Sequence, residues 1–107
     1  MSGDKQMKNS QQECTKLVMA EDMTIYNAMA QKEAFLRALQ NCQELDVDLS
    51  QVGEMDTAGF QILLLIKREA NKAQKTLQIS AQSKAVGDLI ELFNMSSYFT
   101  DSRNSAN

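Results

Sequence analysis

The sequence is 107 residues long, which is enough for one small domain and leaves little room for a second. Hydrophobic residues make up 43% of the chain and charged residues 23%, as in an ordinary soluble globular protein. The net charge is −3, and no run of Lys or Arg forms the basic stripe that a nucleic-acid surface needs. The composition therefore disfavours nucleic-acid binding.

The residue type that enzymes and metal sites use most often is absent. The chain has no His, which removes the commonest general base and the commonest metal ligand. Cys14 and Cys42 stand alone, so we expect two free thiols in a reducing compartment. The longest apolar run, residues 62–66, is too short to span a membrane, and the N-terminus has no hydrophobic signal segment. We expect a cytoplasmic protein with no metal, no cofactor and no direct membrane insertion.

The first half of the chain predicts an arm, a strand and a helix. Residues 1–14 are polar and lack periodicity, which is typical of a flexible N-terminal arm. An early strand is predicted at Leu17-Val18-Met19. Helical spacing follows over residues 25–42, where Thr24 or Asn27 could cap the start. The predicted buried side of this helix carries Ile25, Ala28, Met29, Phe35, Leu36, Leu39 and Cys42.

The second half alternates strands and helices. Residues 45–50 alternate strictly between apolar and polar, which predicts a strand with one covered face. Helical stretches follow at 57–73 and 84–93, on either side of a short strand around Leu77 and Ile79. Ser83 is placed to cap the last helix and Asn94 to end it in the left-handed conformation. Residues 100–107 form a polar tail.

The order strand, helix, strand, helix, strand, helix predicts an α/β fold built from crossover units. The strands alternate in polarity and are not continuously apolar, so we expect one solvated face of the sheet. The helices should then pack mainly on the other face.

The segment between residues 48 and 65 carries the most information. Asp56 is a good N-cap candidate for the helix that follows, because its carboxylate can accept from the backbone N–H groups of the first turn. Thr57 then takes the first helical position. Gly59 lies inside the first turn, where a residue without a Cβ lets another group approach the backbone closely.

On a helical wheel, this helix has one broad apolar arc that should face the sheet. The arc consists of Ala58, Ile62, Leu63, Leu65, Ile66, Ala70 and Ala73. Phe60 and Leu64 miss the arc and share their side with Thr57, Gln61 and Arg68. Two interpretations stay open: the pair belongs to the core under a neighbouring helix, or it forms an exposed docking surface. Asp56 and Thr57 could equally be a cap and nothing more.

These residues resemble a known family, the STAS domain of bacterial anti-sigma factor antagonists and sulfate-transporter tails. The resemblance rests on Asp48-Leu49-Ser50 on a strand, a short loop, and Asp56-Thr57-Ala58-Gly59 opening an apolar helix. It extends from about Leu17 to Met95 and includes the last strand and the last helix. It implies a four- to five-stranded mixed sheet with helices on one side, in a domain spanning residues 15–99, followed by the tail at 100–107.

The resemblance also implies partner switching. In the family, a kinase with an ATP pocket binds the domain and phosphorylates the hydroxyl residue after the motif Asp, which here is Thr57. The family usually shows two adjacent Ser at this point, whereas Thr57-Ala58 offers one hydroxyl, and the usual Pro before the last helix is absent. The expected partner is a serine/threonine kinase-type anti-sigma factor or a related signalling ATPase. The residues expected to bind it are Asp56, Ala58, Gly59, Phe60, Gln61, Leu64 and Arg68.

Two other functions are weighed against this switch. The chain is also similar to stand-alone STAS subunits that dock on the ATPase of a lipid-transporting ABC system, where Thr57 would be an interface residue with no phosphate cycle. An enzyme would need Asp56 and Thr57 as base and nucleophile, but no His, Lys or metal ligand lies nearby in sequence to activate the hydroxyl. We therefore expect a non-enzymatic binding module, monomeric at this size.

Overall fold

The computed structural model describes residues 12–100, in which strands and helices alternate along the chain. Three strand–helix pairs follow one another, which confirms the predicted order, and one short further helix comes after them. The elements are β1 (Gln12–Val18), α1 (Ala28–Gln40), β2 (Cys42–Leu49), α2 (Thr57–Lys72), β3 (Thr76–Gln82), α3 (Lys84–Leu92) and α4 (Ser96–Thr100).

Within the described residues the sheet has three strands in the order β1-β2-β3, and both pairs are parallel. The expected four- to five-stranded mixed sheet is therefore wrong for this part of the chain. Both connections between strands run through a helix, and such a crossover returns the chain in its original direction, which makes neighbouring strands parallel. The register between β2 and β3 shifts once, between Val47 and Asp48.

The helices pack on one face of the sheet. Leu45, Val47 and Leu49 of β2 are buried, whereas the residues between them, Asp46 and Asp48, are only partly covered on the opposite face. One hydrophobic core joins the covered face to α1, α2 and α3. Its apolar members include Phe35, Leu39, Leu45, Leu49, Phe60, Leu63, Ile66, Leu77 and Ile90. The prediction of helices on one face of an α/β sheet is confirmed.

Helix α1 begins at Ala28, three residues later than predicted. Asn27 takes the N-cap position, but its side chain makes no capping hydrogen bond and Nδ2 donates to the backbone oxygen of Asp22 at 2.9 Å. The buried side of the helix consists of Gln31, Phe35 and Leu39.

Both predicted signals around α3 are confirmed. Ser83 Oγ accepts from the N–H of Val86 at 3.3 Å and so caps the helix. Asn94 has φ 59°, the left-handed conformation expected just beyond the helix end.

The buried arc of α2 is rotated from the predicted arc. Phe60 and Lys67 are buried, whereas Ala58, Ile62 and Leu65 are half-buried and Ala73 is exposed. The rotation arises because α3 and α4 cover the Phe60 side of the helix. Lys67 lies fully inside and donates from Nζ to the backbone oxygen of Leu77 at 3.3 Å.

The predicted N-terminal arm and C-terminal tail lie mostly outside the described residues, so this part of the domain division stays a prediction. Strand β1 begins at Gln12, inside the predicted arm of residues 1–14, and residues 1–11 and 101–107 lie outside the described part of the chain. Over residues 12–100, none of the helices is both long and apolar enough to cross a bilayer.

Candidate functional site

Asp56 organises the start of α2. As predicted, its side chain is the N-cap: Oδ1 accepts from the N–H of Gly59 at 3.0 Å. The other carboxylate oxygen, Oδ2, accepts from the N–H of Ile25 at 3.0 Å. These two backbone donors, Gly59 first and Ile25 second, hold the pKa of Asp56 below its usual value. One carboxylate therefore fixes both the helix start and the loop before α1.

Gly59 is the point where that loop crosses the helix. A Cβ at this position would overlap the backbone carbonyl of Met23, which confirms the expected close approach. Met23 N–H donates to Glu54 O at 2.9 Å, and Asp56 N–H donates to Met23 O at 3.1 Å. The loop from residue 22 to 25 is thus joined by backbone hydrogen bonds to the segment that leads into α2.

Thr57 occupies the first position of α2, as predicted, and is exposed. Its hydroxyl lies at the positive end of a helix of 16 residues, where an added anion is tolerated. Asp56 is a poor base for activating this hydroxyl, because its carboxylate already accepts two backbone hydrogen bonds and its pKa is lowered. The arrangement suits a modification or contact site better than a nucleophile.

The other predicted partner-binding residues separate into two groups. Gln61 and Arg68 are exposed on the same side of α2 as Thr57, and Ala58 and Leu64 are half-buried beside them. Gly59 is buried beneath the Met23 loop.

Phe60 belongs to the core, which decides between the two interpretations left open by the wheel for this residue, whereas Leu64 is only half-buried. Its side chain is 3% exposed. The ring stacks on Phe93, with centroids 4.8 Å apart, and meets Phe99 edge-on at 6.1 Å. Phe93 follows the last residue of α3 and Phe99 lies in α4, and because these two rings cover Phe60, its side chain is not available to a partner.

An exposed apolar surface lies on the segment that Asp56 holds through the Ile25 N–H, and the sequence did not predict it. Tyr26 is 93% exposed, Met29 69% and Ile25 65%. Ile25 and Met29 were expected on the buried side of α1. Because the Ile25 N–H bonds to Asp56 and the helix starts only at Ala28, Ile25 leaves the helical path. Met29 lies in the first turn of α1, on its exposed side. The signal available in the sequence was Asn27, a frequent N-cap residue, which would have moved the helix start beyond Ile25.

An acidic groove of about 740 Å³ opens on one side of this surface. Asp22, Glu54 and Asp56 line it together with the apolar side chains of Met55 and Leu89. Asp22 Oδ1 accepts from the N–H of Glu54 at 3.0 Å, which holds the two loops together. Within residues 12–100, no three His, Cys, Asp or Glu side chains are grouped in a way that would hold a metal ion.

The family described as "Mlab, STAS domain" matches residues 7–100. No curated protein matches at a significant level. Among solved structures, a protein from Thermotoga maritima, provisionally described as an anti-sigma factor antagonist, superimposes with a TM-score of 0.73 and 16% sequence identity. The match covers 81% of this chain and 76% of the other and reflects a shared fold. The family match spans most of the sequence, and this chain belongs to the STAS domain family.

Proposed function

We propose that this chain is a regulatory protein-binding module of bacterial signalling that switches partners in the cytoplasm, in the manner of an anti-sigma factor antagonist. Its docking surface consists of Ile25, Tyr26, Met29, Thr57 and Gln61. The observation that carries the proposal is the exposed Thr57 hydroxyl at a helix N-terminus, where the neighbouring Asp56 accepts from the N–H of Ile25 and so ties this helix start to a segment with three exposed apolar side chains. The expected partner is a kinase-type anti-sigma factor or a related signalling ATPase, which binds the surface and phosphorylates Thr57.

The geometry gives such a switch a physical basis. A phosphate on Thr57 adds a charge of about −1.5 to −2 at neutral pH. The helix N-terminus accepts an anion there, so the fold persists. A bound partner, in contrast, would have to desolvate this dianion beside the Asp56 carboxylate and close to Asp22 and Glu54. Phosphorylation is therefore expected to release the partner without unfolding the domain.

The experiment is a quantitative capture from a lysate of the source organism, with wild type and Thr57→Glu as bait. The switch predicts a signalling ATPase or kinase that binds wild type and is lost with Thr57→Glu. Incubating the wild type with that partner and ATP should add one phosphate by intact mass, and Thr57→Ala should block it. If the partner binds but adds no phosphate, the phosphorylation part of the proposal is wrong.

A second candidate is the constitutive subunit that docks on the ATPase of a lipid-transporting ABC system. Two observations favour it. The description of the matching family names Mlab and does not name an anti-sigma factor antagonist. The exposed apolar side chains of Ile25, Tyr26 and Met29 are also typical of a permanent interface, which is more apolar than a transient one.

The same capture separates the two candidates. A transporter ATPase that binds wild type and Thr57→Glu equally, with no phosphate on Thr57, would replace the switch by the constitutive subunit. Loss of binding in Tyr26→Ala is expected for both, because both use the same apolar side chains.

A further inference from the structure

A second groove runs between α1 and α2, next to the docking surface. It has a volume of about 550 Å³, and its apolar floor includes Ala58, Ile62 and Leu65. Lys32 lines it from α1 and Arg68 from α2. Gln61, which belongs to the docking surface, also lines it, so the two surfaces are continuous. We call it the α1–α2 groove.

The charge of this groove is opposite to that of the whole protein. The chain carries a net charge of −3, and the acidic groove described above is lined by Asp22, Glu54 and Asp56. No carboxylate lines the α1–α2 groove, and its two charged side chains are both cations. Within residues 12–100, the ion pairs are Lys72 with Glu69 and Lys84 with Asp88, and neither includes Lys32 or Arg68. Two unpaired cations over an apolar floor fit an occupant with carboxylates and apolar side chains.

The walls of the groove also select the conformation of the occupant. Both walls are helices, whose backbone donors and acceptors are used internally, so the groove offers no strand edge to an extended peptide. An amphipathic helix can instead place its apolar side chains on the floor. From Ala58 to Arg68 the groove follows α2 for ten residues, or about 15 Å, which matches about three turns of a bound helix.

We propose that the α1–α2 groove binds an acidic amphipathic helix of the partner, with carboxylates that pair with Lys32 and Arg68. The proposal rests on the proposed function, since it needs a partner on the adjacent docking surface. It adds the chemistry by which that partner is recognised: apolar side chains along one face of a helix and acidic side chains flanking them.

Site-specific photo-cross-linking tests this directly. A photoreactive amino acid at Gln61 probes the groove, and the same probe at Gln78, exposed on β3, is the control. After irradiation in a lysate of the source organism, the cross-linked peptide is identified by mass spectrometry. We expect the Gln61 probe to capture a segment with Asp or Glu beside apolar residues at helical spacing, and the Gln78 probe to miss it.

Charge reversal supplies the second readout. We expect Lys32→Glu with Arg68→Glu to lower the Gln61 cross-link at least about tenfold, since like charges would then face each other across the contact. The matched control, Lys16→Glu with Arg37→Glu, changes the net charge equally at two exposed positions outside the groove and should leave the yield unchanged. Lys32→Gln with Arg68→Gln keeps long side chains and should give an intermediate loss. Circular dichroism checks that each variant is folded.

Three results would overturn the proposal. They are a cross-linked segment without carboxylates, a cross-link to a second copy of this chain, and a yield that charge reversal does not change. If Thr57→Glu still releases the partner in those cases, the proposed function stands and only the helix-binding groove is wrong. If neither Thr57→Glu nor charge reversal alters capture, both proposals fail.

Discussion

Asp56 and Gly59 act together at the start of α2. The carboxylate of Asp56 ties the first turn to the N–H of Ile25, and Gly59 leaves room for the backbone of Met23. Both residues therefore hold the loop that displays Ile25 and Tyr26 next to Thr57. They contribute to the site by positioning this loop, and substitutions at either residue should change the stability of the protein and the geometry of the loop.

The pH dependence of stability should report the Asp56 hydrogen bonds. The pKa of Asp56 is lowered in the folded state, first by the Gly59 N–H and then by the Ile25 N–H, so the unfolded chain takes up a proton first as the pH falls. The stabilisation is complete above the unfolded value of about 3.9 and is lost as the pH falls through the folded pKa.

We therefore expect Asp56→Ala to unfold at lower urea concentration than wild type at neutral pH, and the gap to narrow below about pH 4. Asp48 has a pKa lowered by the hydroxyl and N–H of Ser50 and titrates in the same direction in both proteins, so only the difference between variant and wild type is informative. A gap that stays constant down to the acid transition would show that the carboxylate charge contributes nothing.

Gly59→Ala should destabilise the protein although Ala is the better helix former. The gain of about 1 kcal/mol in helix propensity is opposed by the clash with Met23, for which overpacking costs about 1–3 kcal/mol. Gly87→Ala is the matched control, because its Cβ would meet the flexible side chain of Gln82 at 3.1 Å. We expect Gly87→Ala to be neutral or stabilising. Equal effects of the two variants on the urea midpoint would mean that the Met23 backbone does not pack closely against α2 at Gly59.

Among the elements, α2 packs against the core with one face and presents the proposed contact residues on the other. Its buried arc centres on Leu63, Ile66 and Ala70, and its exposed side carries Thr57, Gln61 and Arg68. Phe60 lies at the edge of the buried arc, where α3 and α4 bring Phe93 and Phe99 against it. The same helix thus stabilises the fold and presents the proposed contact residues.

Paired substitutions distinguish these two faces. Phe60→Ala should cost about 3–5 kcal/mol of stability, because it removes a buried ring from the core. Tyr26→Ala should change stability by less than about 0.5 kcal/mol, because the side chain is 93% exposed. In capture experiments we expect Tyr26→Ala to lose the partner although the variant remains folded. A large stability loss in Tyr26→Ala would place that side chain in the fold and outside the docking surface.

The sequence predicts the elements better than it predicts their faces. Alternating strands, helical spacing and the caps at Asp56 and Ser83 are local signals, and each predicts its element correctly. The rotation of α2 and the exposure of Ile25 depend on distant contacts, with α3 in one case and with Asp56 in the other. Periodicity within one helix carries no information on such contacts. The family resemblance implies four to five strands, whereas the described residues form three.

At the scale of the whole molecule, the sheet has one face under the helices and one polar face. Lys16, Asp46 and Gln78 are register neighbours on the polar face. Cys14 is exposed on β1, whereas Cys42 is buried below the end of α1. The docking surface and both grooves involve the helices and loops of the covered side, so the proposed contacts lie away from the polar face.

The reactivity of the two thiols should reflect this difference, because Cys14 is exposed and Cys42 is buried. Burial raises the pKa of Cys42, which further lowers its thiolate fraction at neutral pH. We expect one thiol per chain to react quickly with a colorimetric disulfide reagent under native conditions and both to react in urea. Cys14→Ser should abolish the fast reaction. Two fast thiols in the native protein would contradict the packing of β2 under α1.

A partner that docks around the start of α2 should change hydrogen–deuterium exchange there, which is measured with and without the captured partner. The first amides of a helix have no intrahelical acceptor and exchange readily unless something covers them. We predict that the partner slows exchange over residues 24–30 and 57–61 and leaves residues 76–82 of β3 unchanged. Protection confined to β1 and β3, with none around Thr57, would contradict the account, because it would place the partner on the polar face of the sheet.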